Sequence, residues 1–163
     1  MENNYIALAI PAFFIFIMIE LLVARWQGKN YYRFNDSITD LSCGIGQQAT
    51  ALLLKGFLYA GYIYVYQHYA IWRLPSNSMA AWVIAFFGID IGYYWWHRLS
   101  HEVNFMWAIH VVHHQSEDYN LAVALRQAWF SGISIWIFYL PVVLLGVDPT
   151  LMLAMGEIGR AHV

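Results

Sequence analysis

Residues 79–114 read MAAWVIAFFGIDIGYYWWHRLSHEVNFMWAIHVVHH, an apolar run that leads straight into a histidine-rich segment. Five of the chain's seven histidines fall here, as His97-x3-His101 and His110-x2-His113-His114. Residues three or four apart share a helix face, so His97 and His101 point together, and His110 can point with His113 or His114. At 100° per residue, however, the nine steps from His101 to His110 turn about 180°. In one straight helix the two motifs would face opposite ways. A single site therefore requires a bend or break between them, and Glu102-Val103-Asn104 is the place, since Asn favours turns and caps. The pattern predicts a helix ending near His101–Asn104 and a new helix or turn carrying His110–His114.

Neutral imidazole is the commonest side-chain metal ligand. An imidazole cluster without cysteine suits iron, zinc, copper or nickel. The single cysteine, Cys43, excludes both an intrachain disulfide framework and a cysteine-based zinc site. Asp90 precedes His97 by seven residues and His101 by eleven, close to whole helical turns, so the three share a face. A carboxylate inside an apolar helix is costly without a partner. Metal-bound histidines commonly give their second N–H to such a group. Asp90 is therefore the candidate catalytic carboxylate, acting through a water about two turns away or on an unseen ligand; the alternative is a structural residue that hydrogen-bonds a neighbouring helix.

Working outward, the composition is 61% hydrophobic, 18% aromatic and 11% charged. A soluble domain carries about 25% charged residues, so the apolar surplus has to face lipid. The net charge of −2 gives no sign of a nucleic-acid partner. The expected fold is all-α: an integral membrane bundle of four spans forming one domain over residues 1–163, with the histidine-box region at 90–127. The spans are Tyr5–Ala24, a stretch centred near Leu58–Val65, Met79–Trp96 and Trp129–Val147. The Leu41–Trp72 stretch is either an interfacial helix followed by a span or one tilted span with Lys55 snorkelling. Asn35-Asp36-Ser37 is a turn and helix cap, Leu74–Ser78 is a loop, and Pro141 and Gly146 are kink points. The start Met1-Glu2-Asn3-Asn4 lacks the basic region of a cleaved signal peptide. Arg25, Lys29, Arg33, Arg98 and Arg126 fall on one side and Arg73 and Arg160 on the other. The richer side, with the histidines, is assigned to the cytoplasm.

Some residues have plainer readings. His68 and His162 are interfacial or hydrogen-bonded histidines. Tyr93, Tyr94, Trp95 and Trp96 form an interface belt. Glu117 and Asp118 are a helix-capping pair or a solvated face.

The segment Asp90–His101 resembles the first histidine box of the fatty acid hydroxylase (sterol desaturase) superfamily, and His110–His114 resembles the second. Ser116–Leu121 and Ala124–Gln127 look most like its alkylglycerol monooxygenase-like branch, although Gln127-Ala128 stands where many members have His-Pro. The resemblance spans roughly Tyr32 to Leu145. It implies a membrane enzyme with a cytoplasmic non-haem di-iron centre that uses O₂ to hydroxylate or desaturate a lipid. His97, His101, His110, His113 and His114 would be iron ligands, and a tetrahydropterin is the reductant associated with the branch. The electron donor of this chain is not specified by its residues. A third histidine box of the family, also H-x2-H-H, has no counterpart here. The tail Gly156–Val163 does not look like the family's continuation, so a truncation after about residue 155 is expected. The alternative is a non-enzymatic histidine-rich membrane protein that binds or transports a metal ion. A transporter should spread its ligands over several spans.

Overall fold

Ser78 starts the helix that carries the first histidine motif. Its backbone is extended and its side-chain oxygen accepts from the Ala81 N–H, which satisfies one of the donors that a helix start leaves unpaired. The computed structural model describes residues 5–116 and 118–159. Among these there are six α-helices and no strand: α1 (Tyr5–Trp26), α2 (Phe34–Tyr69), α3 (Met79–Glu102), α4 (Asn104–His110), α5 (Ser131–Leu144) and α6 (Pro149–Gly159). Short 3₁₀ turns occupy Val111–His114 and Leu121–Leu125. The chain is all-α, as expected.

The residues group into two compact units, one of Met1–Gln47 with Val111–Ala128 and the other of Gln48–His110 with Trp129–Val163. In the second unit, α3 packs on α4, α5 and α6. Its core holds Tyr62, Ala81, Ala85, Ile89, Val142, Val143, Val147, Leu151 and Met152. Ala81, Ala85, Ile89, Gly92, Trp96 and Ser100 form the buried stripe of α3. They recur every three or four residues, as one helix face requires. A Cβ on Gly92 would lie 2.9 Å from the Phe138 carbonyl oxygen and 2.9 Å from the Tyr139 ring, so α3 and α5 are in backbone contact there. Gly146 (φ 94°) makes the turn between α5 and α6, where only a residue without Cβ fits against the Trp72 carbonyl.

The first unit is held by polar contacts. The Glu20 carboxylate accepts from the Tyr32 hydroxyl and, at 2.9 Å, from the Leu121 N–H. Asn120 donates to the Tyr31 carbonyl at 2.7 Å and accepts from the Ala122 N–H at 3.0 Å. Arg33 pairs with Asp118 at 2.9 Å. Asp118 is thus an ion-pair partner and Asn120 is the cap; Glu117 and His162 lie outside the described residues.

Several expectations are corrected. Residues 34–69 form one 36-residue helix. Asn35-Asp36-Ser37 lie in its first turn and do not form a preceding cap, because the Ser37 N–H already donates to the Arg33 carbonyl. Helix α6 was not foreseen, although its start is marked. Asp148 Oδ1 accepts from the Thr150 N–H at 2.8 Å, and Pro149 occupies the first helical position. Trp96 is 6% exposed and belongs to the core, not to a belt. The four expected spans coincide with parts of α1, α2, α3 and α5. Among the described residues, no helix is long and apolar enough to cross a membrane. Helix α5 has only 14 residues, and α3 ends in the polar histidine motif.

Gly92→Ala should lower the unfolding free energy by about 1–3 kcal/mol, because the added methyl forces two packed helices apart; the unfolding midpoint in detergent measures this. Burial and the hydrogen bond to Glu20 raise the Tyr32 phenol above its ordinary value. A raised folded value favours the protonated form. The stabilisation is complete below the unfolded value of about 10 and is lost as pH climbs past it. Tyr32→Phe is expected to remove that part of the alkaline decline in melting temperature.

Candidate metal centre

The C-terminal end of α3 brings His97 and His101 onto one side of the helix, one turn apart. The helix stops at Val103, whose extended backbone (φ −106°, ψ 117°) still donates its N–H to the Leu99 carbonyl. Helix α4 begins at the next residue and ends at His110. The chain therefore breaks within Glu102–Asn104, where the opposed directions of the two motifs demand it.

As a result, the rings of His97, His101 and His110 form a triangle. Each pair of centroids is 4.9 Å apart, and the ring planes are nearly perpendicular, at 82°, 82° and 81°. One ligand nitrogen from each lies within 4.8 Å of the others. Two metal–nitrogen bonds of about 2.1 Å each span most of that distance. The donor set is purely nitrogen.

Aromatic rings wall the triangle. Tyr93 stacks on His97 with centroids 6.0 Å apart and planes 5° apart. Trp96 meets the His110 ring edge-on at 5.4 Å. The Trp96 indole N–H donates to Ser134 Oγ at 2.9 Å, which ties this wall to α5. Trp107 lies 5.4 Å from His101. His110 is 4% exposed, whereas His101 is exposed and His97 half-buried. The triangle thus has a buried corner and an open one.

The remaining expected residues are placed as follows. His113 and His114 lie on the 3₁₀ turn of the first unit, their rings 5.2 Å apart. His113 Nδ1 is 2.9 Å from the Arg126 carbonyl oxygen. Asp90 sits two turns before His97 on α3, exposed, with no hydrogen-bond partner among the described residues. His68 is exposed, stacks on Tyr64 and bonds the Tyr64 carbonyl at 2.9 Å, apart from the triangle. Sequence reasoning missed Trp96 as the wall of His110 and Arg126 as the partner of His113. A signal for the latter existed: Asp36 and Asp40, one turn apart in an apolar chain, needed a cation.

The fatty acid hydroxylase family profile matches residues 82–162. The chain is 43% identical over 143 residues to alkylglycerol monooxygenase of Homo sapiens, covering 86% of this chain and 32% of that protein. It is 41% identical over 140 residues to alkylglycerol monooxygenase of Xenopus tropicalis, covering 85% and 31% respectively. The Danio rerio alkylglycerol monooxygenase is 41% identical over 143 residues. The chain spans about a third of the length of the curated relatives it matches. No solved structure matches it.

Trp96→Phe keeps an aromatic ring but removes the indole N–H that bonds Ser134 and leaves space where the larger ring packed. The share owed to the bond, about 1 kcal/mol, is expected as the coupling energy of a double-mutant cycle with Ser134→Ala, read from unfolding midpoints.

Proposed function

Because the chain belongs to the fatty acid hydroxylase family, we propose that it is the histidine-bearing part of a membrane-bound non-haem iron enzyme that oxidises a lipid with O₂. The observation that carries this reading is the triangle of His97, His101 and His110. Three neutral nitrogen donors without thiolate fit iron, as they fit zinc, copper or nickel; the family resemblance selects iron.

We assign His97, His101, His110, His113 and His114 as its ligands, the last two because they complete the H-x2-H-H motif that His110 begins. A di-iron centre of the family type needs donors beyond these five. When bound, iron supplies the one-electron chemistry with O₂ that an inert alkyl C–H bond requires. The chain's own groups do the rest. Trp96 and Tyr93 hold the imidazole planes and keep water from the buried corner. The open corner at His101 admits reactants. We assign Asp90 as the catalytic carboxylate, which would accept a hydrogen bond through a water or from a ligand.

A monooxygenation converts C–H to C–OH, releases the second oxygen atom as water and consumes two electrons and two protons. We propose a tetrahydropterin as the donor. The relatives' name points to an alkylglycerol as the substrate class. Membrane residence is supported by the apolar side chains left exposed on the helices, such as Phe14, Phe16 and Leu22 on α1, Leu52, Leu53 and Phe57 on α2, and Phe86 and Phe87 on α3. Burying each such side chain is worth about 1.5–3 kcal/mol. The histidines are assigned to the cytoplasmic side. A metal carrier would spread its donors over several spans, whereas the triangle sits on the end of α3 and the short helix that follows it.

Purified protein is expected to hold iron and to oxidise an alkylglycerol only with O₂ and a reduced pterin. His97→Ala and His110→Ala should each lower bound iron about tenfold or more, while Lys55→Ala should leave it unchanged. Full iron content in both histidine variants would remove the basis of the assignment.

A further inference from the structure

Arg126 is the most deeply buried cation described, 4% exposed, and Asp40 is fully buried beside it. Arg126 Nε donates to Asp40 Oδ1 at 2.5 Å, and Nη2 donates to Asp36 Oδ1 at 2.8 Å. The other oxygen of Asp36 accepts from Ser116 Oγ at 2.5 Å. Both carboxylates belong to the first two turns of α2, and they hold the Val111–Arg126 segment at Ser116 and at Arg126. Within that segment the Arg126 carbonyl oxygen faces His113 Nδ1 at 2.9 Å.

This contact has one chemical reading. A carbonyl oxygen only accepts, so His113 Nδ1 carries the proton. In the neutral ring the lone pair then sits on Nε2, the atom directed away from Arg126. Partners of this kind fix the tautomer and ring direction of metal-binding histidines. We propose that Arg126 is a positioning residue for His113, held by Asp36 and Asp40, so that Nε2 is presented to the metal. The proposal rests on the assignment of His113 as a ligand. Arg126 touches neither metal nor substrate. It acts through its backbone, and its side chain determines where that backbone lies.

A merely structural ion pair would stabilise the fold without acting through His113, and a double-mutant cycle separates the two roles. Co(II) is the probe, titrated anaerobically into the full chain in detergent, with affinity and d–d absorption as readouts. Arg126→Lys keeps the charge but cannot bridge both carboxylates. Asp36→Asn is the milder variant, because it leaves the Asp40 pair intact, and it decides the matter if Arg126→Lys does not fold. Each is expected to weaken Co(II) binding about 10-fold or more and to alter the absorption. In the His113→Ala background the same changes should shift affinity by no more than about twofold. Equal losses in both backgrounds, or no loss in either, overturn the proposal. If His113→Ala alone leaves Co(II) affinity unchanged, the ligand role of His113 fails, and the positioning role fails with it.

Discussion

The structure depends on a single interruption of a helix. His101 and His110 face opposite ways along any continuous helix, so the imidazoles converge only because α3 ends at Glu102 and α4 starts at Asn104. The interruption is mild in energy. Val103 is extended, but its N–H keeps a helical partner at Leu99, so the break strands little backbone hydrogen bonding. What it gains is geometric: three nitrogen donors from a stretch of fourteen residues, His97 to His110. Converging donors are useful only if they stay in place. Here the backbone contact of α3 with α5 at Gly92, and the bond of Trp96 to Ser134 one turn further on, fix the end of α3 that carries His97 against α5. Rotamers held by packing lose less freedom when a metal binds.

The two compact units are built on different principles. The Gln48–His110 and Trp129–Val163 unit is held by an apolar core of small and branched residues. The other unit buries Asp40, Asn120 and Arg126 with only small apolar partners such as Ala24, Ala122 and Ala128. Its cohesion comes from carboxylates bridging distant segments: Glu20 to Tyr32 and Leu121, and Asp36 and Asp40 to Arg126.

This difference explains what the sequence disclosed. The positions of α1, α3 and α5, the loop at Leu74–Ser78, the break at Glu102–Asn104 and the pairing of His97 with His101 all follow from periodicity and local caps, which lie in contiguous residues. The approach of His110 to the first motif followed once the break was granted. Asp36 and Asp40 signal the need for a cation, but that the cation is Arg126 was not legible, because the contacts join residues 86 and 90 positions apart, and no local period encodes them. Trp96 was misjudged for a related reason: in Tyr93–Trp96 every residue is aromatic, so composition suggests a belt, and only the helix face that each occupies separates buried Trp96 from exposed Tyr94 and Trp95. Helix α6 was readable from Asp148-Pro149 but lay beyond the apolar run that drew attention.

The buried ion pair raises the question of what it achieves. Taking a charge out of water costs several kcal/mol even after relaxation, and a hydrophobic replacement of similar volume is often as stable or more so. Asp40 Oδ2 has no hydrogen-bond partner among the described residues, so the pair does not even recover all of its lost hydration. Stability alone therefore does not account for Arg126. What an apolar side chain could not do is lock residue 126 against two fixed points one helical turn apart. Two bonds from one planar guanidinium define both a position and an orientation. That orientation extends to the backbone carbonyl, which is where His113 is held. In a chain with only 11% charged residues, one of the few cations is buried at the position whose main chain meets a candidate ligand, and geometric control of that ligand is the advantage that offsets its desolvation.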